Sequence, residues 1–363
     1  LVVARKHLPS WAAAASGIAT VLSATSLNAS VFMPEMMFFA LAAWAVTLFA
    51  MGWEANGASR YLFFASILML VLAGLTKPHA IFLLTGIMAF TALMLVTKRV
   101  AYRRGLALFL GFPVGYVLLK IAIGYQLAGP TGLSLIGPAY EKSLINFLNG
   151  LNAFSQGALS ASAGAMNPVE TKGLTAFALF VFVQILLLAI AFSFMTLGLP
   201  FLLVRPISKL DDYQLLISTI SVVYIIAIAG FTAFVSFTGD DHSSRLLARY
   251  FEFLIPLMLV ACFVEIQKHH RVDGLRAISL FASIPVLGIG SGLLFFNAEL
   301  KLSDSAILLG SLREAIVPWL VMISWTIVVF AVSKRPKHLL AATVTGSLLI
   351  VALTGLSAQQ RQI

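Results

Sequence analysis

Residues 61–97 read YLFFASILMLVLAGLTKPHAIFLLTGIMAFTALMLVT, two apolar runs over 61–76 and 80–97 parted only by Lys77-Pro78-His79. Proline disfavours a helical conformation at the residue before it, so Lys77-Pro78 marks a turn. The pair reads as a helical hairpin. Each arm is near the lower limit of about 17 residues for a membrane span, so the two helices are expected to stop below the membrane surface.

Nine more apolar runs lie outside the hairpin, over 9–27, 33–52, 105–125, 174–204, 214–237, 250–267, 277–296, 317–333 and 338–357. They are continuous, unlike the alternating segments of about 10 residues in barrel strands, so they read as helices. Composition agrees. Hydrophobic residues are 60% of the 363 and charged residues 10%, against about 45–50% and about 25% in soluble domains. So few charges cannot cover a water-facing globule of this size. This excludes a soluble enzyme, a disordered chain and a nucleic-acid reader. The expected fold is all-α and polytopic, a single integral membrane domain over 1–363 with eleven spans. The single cysteine, Cys262, lies inside a span and excludes an intrachain disulfide or a cysteine metal cluster. No internal repeat points to an inverted-repeat transporter.

Eleven spans sort the connections onto two sides. One side carries fifteen basic residues, Arg5, Arg99, Arg104 and Lys209 among them, against the five acids Glu54, Asp211, Asp212, Glu265 and Asp273. The other side carries nine of each, so the formal excess of +10 sits on one face. Basic connections stay cytoplasmic, which assigns the basic side to the cytoplasm.

The unusual residues gather on the opposite, extracytoplasmic side. Met33-Pro34-Glu35 opens the second span. Proline and a carboxylate in the first turn favour helix initiation, but a carboxylate with apolar neighbours also needs a partner or a wet cleft. Lys77 and His79 stand at the hairpin tip. Lysine there can snorkel or hold a phosphate as a point charge, and histidine can cap backbone carbonyls. Asp240, Asp241 and His242 carry metal-ligating chemistry, although three adjacent side chains seldom reach one ion. Arg245 and Arg249, four apart, share a helix face, and with Tyr250 they suit either a lipid phosphate or interfacial anchoring. The outside loop 126–173 contains an apolar stripe at Leu144, Leu148, Leu151 and Phe154, so 139–156 is expected to form a helix on the membrane surface. Gly-rich phosphate loops, Gly-x-Ser-x-Gly and His-Glu-x-x-His are absent from the sequence.

Three pieces then resemble one family. Met33-Pro34-Glu35, the turn Ala73-Gly74-Leu75-Thr76-Lys77-Pro78-His79 and the Arg249-Tyr250…Pro256 entry to a late span look like motifs of the polytopic GT-C glycosyltransferases, the group of aminoarabinose transferase and protein O-mannosyltransferases. Their order and shared face strengthen a likeness that covers most of 1–357. The family's acidic signature between its first and second spans has no counterpart here. The resemblance therefore implies two further spans before Leu1, about thirteen in all, and a principal carboxylate outside this chain.

What the resemblance implies is glycosyl transfer at the extracytoplasmic face of a bacterial inner membrane. The donor would be a polyprenyl-phosphate sugar and the acceptor a lipid, glycan or protein. Glu35 would act on the acceptor, while Lys77, Arg245, Arg249 and Tyr250 would hold the donor phosphate. A divalent metal ion would find possible ligands in His79, Asp240, Asp241 and His242. A transporter or flippase of lipid-linked or small polar substrates, and a non-catalytic membrane assembly protein, are the alternative classes.

Overall fold

A computed structural model describes residues 33–55, 59–130 and 207–238, together with Ala13, Ser134, Val181, Phe182, Ile185, Phe253, Leu254, Leu257, Met258, Val260, Ala261 and Val264. The elements are α1 (Met33–Glu54), α2 (Ser59–Thr76), α3 (Ala80–Val96), α4 (Tyr102–Ala128), a 3-10 turn at Ile207–Lys209 and α5 (Asp212–Thr238). No strand occurs among the described residues. Three segments, Met37–Glu54, Tyr102–Leu127 and Asp212–Phe231, are long and apolar enough to cross a membrane. The expected spans 33–52, 61–76, 80–97, 105–125 and 214–237 are each a helix, displaced by at most three residues at either end. The expected spans 9–27, 174–204, 250–267, 277–296, 317–333 and 338–357, and the surface helix at 139–156, lie wholly or mostly outside the described residues.

α1 to α4 alternate in direction, and α5 starts at the same end of the bundle as α4. Ser66 Oγ donates to the Ala45 carbonyl at 2.7 Å, and Phe49 meets Phe63 at 5.4 Å between ring centroids. That register makes α1 and α2 antiparallel. Glycine lets helices approach closely in a lipid environment, where packing rather than water drives association. A Cβ added at Gly86 of α3 would stand 3.1 Å from the Ile220 backbone of α5. In α1 the buried residues Phe38, Ala42, Ala45, Phe49 and Trp53 recur on one helical face. Six consecutive residues of α5, Tyr213 to Ser218, are buried, so its first turns have neighbours all round.

α4 has two opposed faces. Gly105, Phe112, Tyr116, Lys120 and Gly124 are buried, whereas Leu110, Val114, Leu118, Ile121 and Tyr125 are exposed. The second stripe suits hydrocarbon. The helix begins three residues before the apolar run because Arg104, in its first turns, is held by the end of α1. Its guanidinium donates to the carbonyls of Gly52 and Trp53 at 3.3 and 2.8 Å and lies over the Trp53 ring. These are terminal carbonyls of α1, which lack partners within their own helix.

One end of the bundle is closed by this network. α3 ends in a Schellman turn in which Lys98 N–H reaches the Leu95 carbonyl and Arg99 N–H the Met94 carbonyl. Lys98 takes the left-handed conformation there, at φ 56°. The turn aims Arg99 at the carbonyls of Leu210 and Ile207, both at 2.8 Å, and at Asp212 at 3.4 Å. Trp53 Nε1 donates to the other Asp212 oxygen at 3.0 Å. Just inside, Phe49 touches the rings of Trp53, Phe63, Phe90 and Phe112 and so joins α1 to α4 in one cluster.

Candidate functional site at the hairpin tip

The other end is built around the tip of α2–α3. The helices have 18 and 17 residues, about 27 and 25 Å at 1.5 Å per residue. The hydrocarbon core is about 30 Å thick. α4, with 27 residues, continues past the tip. The sequence expectation of two short helices is met.

The tip is made by Lys77-Pro78-His79. Lys77 N–H closes the last turn of α2 on the Ala73 carbonyl at 2.8 Å. Thr76 Oγ1 folds back onto the same carbonyl at 2.7 Å. Pro78 has no N–H and breaks the helix. The backbone then turns into α3 through bonds from Ala80 to the Lys77 carbonyl, Ile81 to Pro78 and Phe82 to His79. His79 is the N-cap residue of α3, but its side chain makes no capping bond. Its ring is buried and meets the edges of Phe82 at 5.8 Å and Phe231 of α5 at 5.0 Å. Lys77 is half-buried at the turn.

From His79 a chain of aromatic contacts crosses the bundle. Phe82 meets Tyr224, Tyr224 meets Phe253, and Phe253 meets Phe38 at 5.9 Å. Phe38 is three residues beyond Glu35, and Phe253 is three beyond Tyr250. The segments that follow two of the expected site residues therefore touch. Extending the α1–α2 register from Ala45–Ser66 and Phe49–Phe63 also sets the tip level with the start of α1. Glu35 lies on the first turn of α1. Asp240, Asp241, His242, Arg245, Arg249 and Tyr250 lie outside the described residues. Of the expected metal ligands only His79 is described, and no group of three or more His, Cys, Asp or Glu able to hold an ion occurs among the described residues.

Two residues that the sequence reading passed over complete this end. Tyr116 of α4 is 1% exposed, and its hydroxyl fills the space where a Cβ on Gly74 would stand. Lys120, one turn further on, is 3% exposed. Its Nζ lies 5.8 Å from the Tyr116 ring centroid. Lys120 is eighteen residues into α4, about 27 Å along it, level with the tip. A cation inside an apolar span was the available signal; only the placement of α4 shows that it faces protein.

Fold and site define the class as an integral membrane protein, helical throughout its described residues, with charged residues set level with the tip of a short helical hairpin. Comparison with protein-family models, curated proteins and solved structures found no match.

Proposed function

We propose that the chain is part of a GT-C-like membrane glycosyltransferase with eleven spans here and about thirteen in the whole protein. It moves a sugar from a polyprenyl-phosphate donor to a lipid, glycan or protein acceptor at the extracytoplasmic face of a bacterial inner membrane. The observation that supports this reading most is that the start of α1, which bears Glu35, the tip that bears Lys77 and Phe253, three residues beyond Tyr250 in the sequence, lie at one end of the bundle. They are far apart in sequence.

In the step, the bond from the sugar's anomeric carbon to the phosphate oxygen breaks and a bond to the acceptor oxygen forms. The electron pair leaves with polyprenyl phosphate, whose charge Lys77, Arg245 and Arg249 stabilise, with Tyr250 at the same headgroup. The acceptor proton passes to a carboxylate, Glu35 or one in the preceding spans. His79, Asp240, Asp241 and His242 are the residues to vary in a test of metal dependence. The reading is tested with radiolabelled polyprenyl-phosphate sugar and full-length protein in vesicles. Label moving to an acceptor supports it; label that only changes leaflet supports a flippase instead. Lys120, a charge within a span, is the observation that favours that second reading.

A further inference from the structure

We propose that the end of the bundle where α2 and α4 begin is a docking surface for the headgroups of anionic phospholipids, held by Arg60, Lys98 and Arg103. This is the end opposite the hairpin tip, and the proposal does not rest on sugar transfer. α2 and α4 both start beside the end of α1. A Cβ on Gly52 of α1 would stand 3.1 Å from the Phe63 ring of α2, and Arg60 lies about one turn before Phe63. Arg103 adjoins Arg104, whose guanidinium holds the Gly52 and Trp53 carbonyls. Lys98 lies in the turn between α3 and α4. All three side chains are exposed, and none makes a hydrogen bond or ion pair among the described residues. The acids at this end are engaged: Asp212 with Arg99 and Trp53, Glu54 and Asp211 with contacts of their own. Arg60 and Arg103 also stand in first turns that hold no acidic residue, where the helix dipole disfavours a cation. For Arg104 the carbonyls of α1 offset this. For Arg60 and Arg103 the offsetting charge has to come from outside the bundle.

Tyrosines at the same end supply a second, independent observation, because they mark depth. Tyr61 follows Arg60 and Tyr102 precedes Arg103, and they are 81% and 71% exposed. Tyrosine, with an apolar ring and a polar tip, collects where lipid meets water. Tyr125, also exposed, lies twenty-three residues beyond Tyr102 on α4, about 35 Å along the helix. That length exceeds a hydrocarbon core of about 30 Å and fits within a whole bilayer of about 40–45 Å. Tyr102 and Tyr125 therefore suit the two interfaces, and Arg103 stands at the level of the lipid phosphates. A guanidinium can hold two phosphate oxygens at once, and each further cation near an anionic surface adds to the attraction. The match in charge favours headgroups with net negative charge over zwitterionic ones.

The test places full-length protein in nanodiscs that mix phosphatidylcholine with phosphatidylglycerol, and native mass spectrometry counts the lipids retained on release. Wild type is expected to enrich phosphatidylglycerol over phosphatidylcholine by about tenfold or more. The triple variant Arg60→Gln, Lys98→Gln, Arg103→Gln is expected to lose about that factor, whereas Arg60→Lys with Arg103→Lys keeps most of it. A second triple variant, Lys334→Gln, Arg335→Gln, Lys337→Gln, removes the same charge from another basic connection and is expected to stay within about twofold of wild type. If the first triple variant does not fold, acetylation in wild type decides: phosphatidylglycerol should slow modification of Lys98 more than that of Lys337. Equal retention of the two lipids by wild type, or full enrichment in the first triple variant, overturns the surface. So does an equal loss in the second, which would assign the effect to net charge alone, or equal slowing of the two lysines. Displacement of the retained lipid by inorganic phosphate overturns the lipid as occupant. Sugar transfer enters none of these measurements, so their failure leaves that reading standing.

Discussion

Where α1 ends and α4 begins, Arg99 and Arg104 reach five protein oxygens, four of them backbone carbonyls. At the hairpin tip, Lys120 lies against a phenol ring and Lys77 sits on a proline turn, beside aromatic side chains from three helices. Both ends are aromatic and both carry cations. The guanidinium groups are committed to helix ends and hold the bundle shut. The ammonium groups stand at the depth where a short hairpin leaves a longer helix continuing. The difference separates charges that tie helix ends together from charges set beside aromatic side chains at the hairpin tip.

The comparison makes graded predictions. Lys77→Ala is expected to lower sugar transfer by about a hundredfold, the usual cost of removing one stabilising group, with the melting temperature close to wild type. Loss of folding without a specific effect on transfer would put Lys77 among the structural charges. Arg104→Met should do the opposite. It strands two carbonyls of α1 and removes the contact with Trp53, a cost of about 2 kcal/mol, seen in denaturation while transfer per folded molecule holds.

Smaller effects sharpen the contrast. Asp212 is 42% exposed, so Asp212→Asn should cost less than about 1 kcal/mol. Because the Arg99 pair is partly screened, the penalty should shrink further in high salt. Lys98→Gly should stabilise by about 0.5–1 kcal/mol, since glycine takes the left-handed conformation at the end of α3 without a Cβ clash. Thermal denaturation in detergent measures both. A destabilised Lys98→Gly would mean that the lysine side chain contributes more than its backbone strain costs.

Much of this contrast was legible in the sequence. Pro78 fixed the break between α2 and α3, because a missing N–H and the restriction on Lys77 act locally. Apolar length fixed α1 and α5 almost to the residue. Arg103 and Arg104 hid the first turn of α4, because charge ends an apolar run although the backbone stays helical; the partner of Arg104 is the end of α1, about fifty residues away. The sequence offers His79 as a cap or as a metal ligand; its ring makes no capping bond and packs against Phe82 and Phe231, the latter a tertiary contact that no local pattern encodes. Lys120 was legible as a charge within 105–125. Its meaning was not, since only the i−4 and i−8 neighbours Tyr116 and Phe112, packed inward, show which face it shares.

The central claim is that the expected site residues meet at the hairpin-tip end. With Cys262 replaced by alanine, cysteine pairs at Glu35 and Lys77, and at Lys77 and Arg249, can be probed with a short bifunctional maleimide in native membranes. Both pairs are predicted to crosslink, while Glu35 paired with Arg99, at the opposite end, does not. Crosslinking of the Glu35–Arg99 control, or none in either tip pair, would contradict the account.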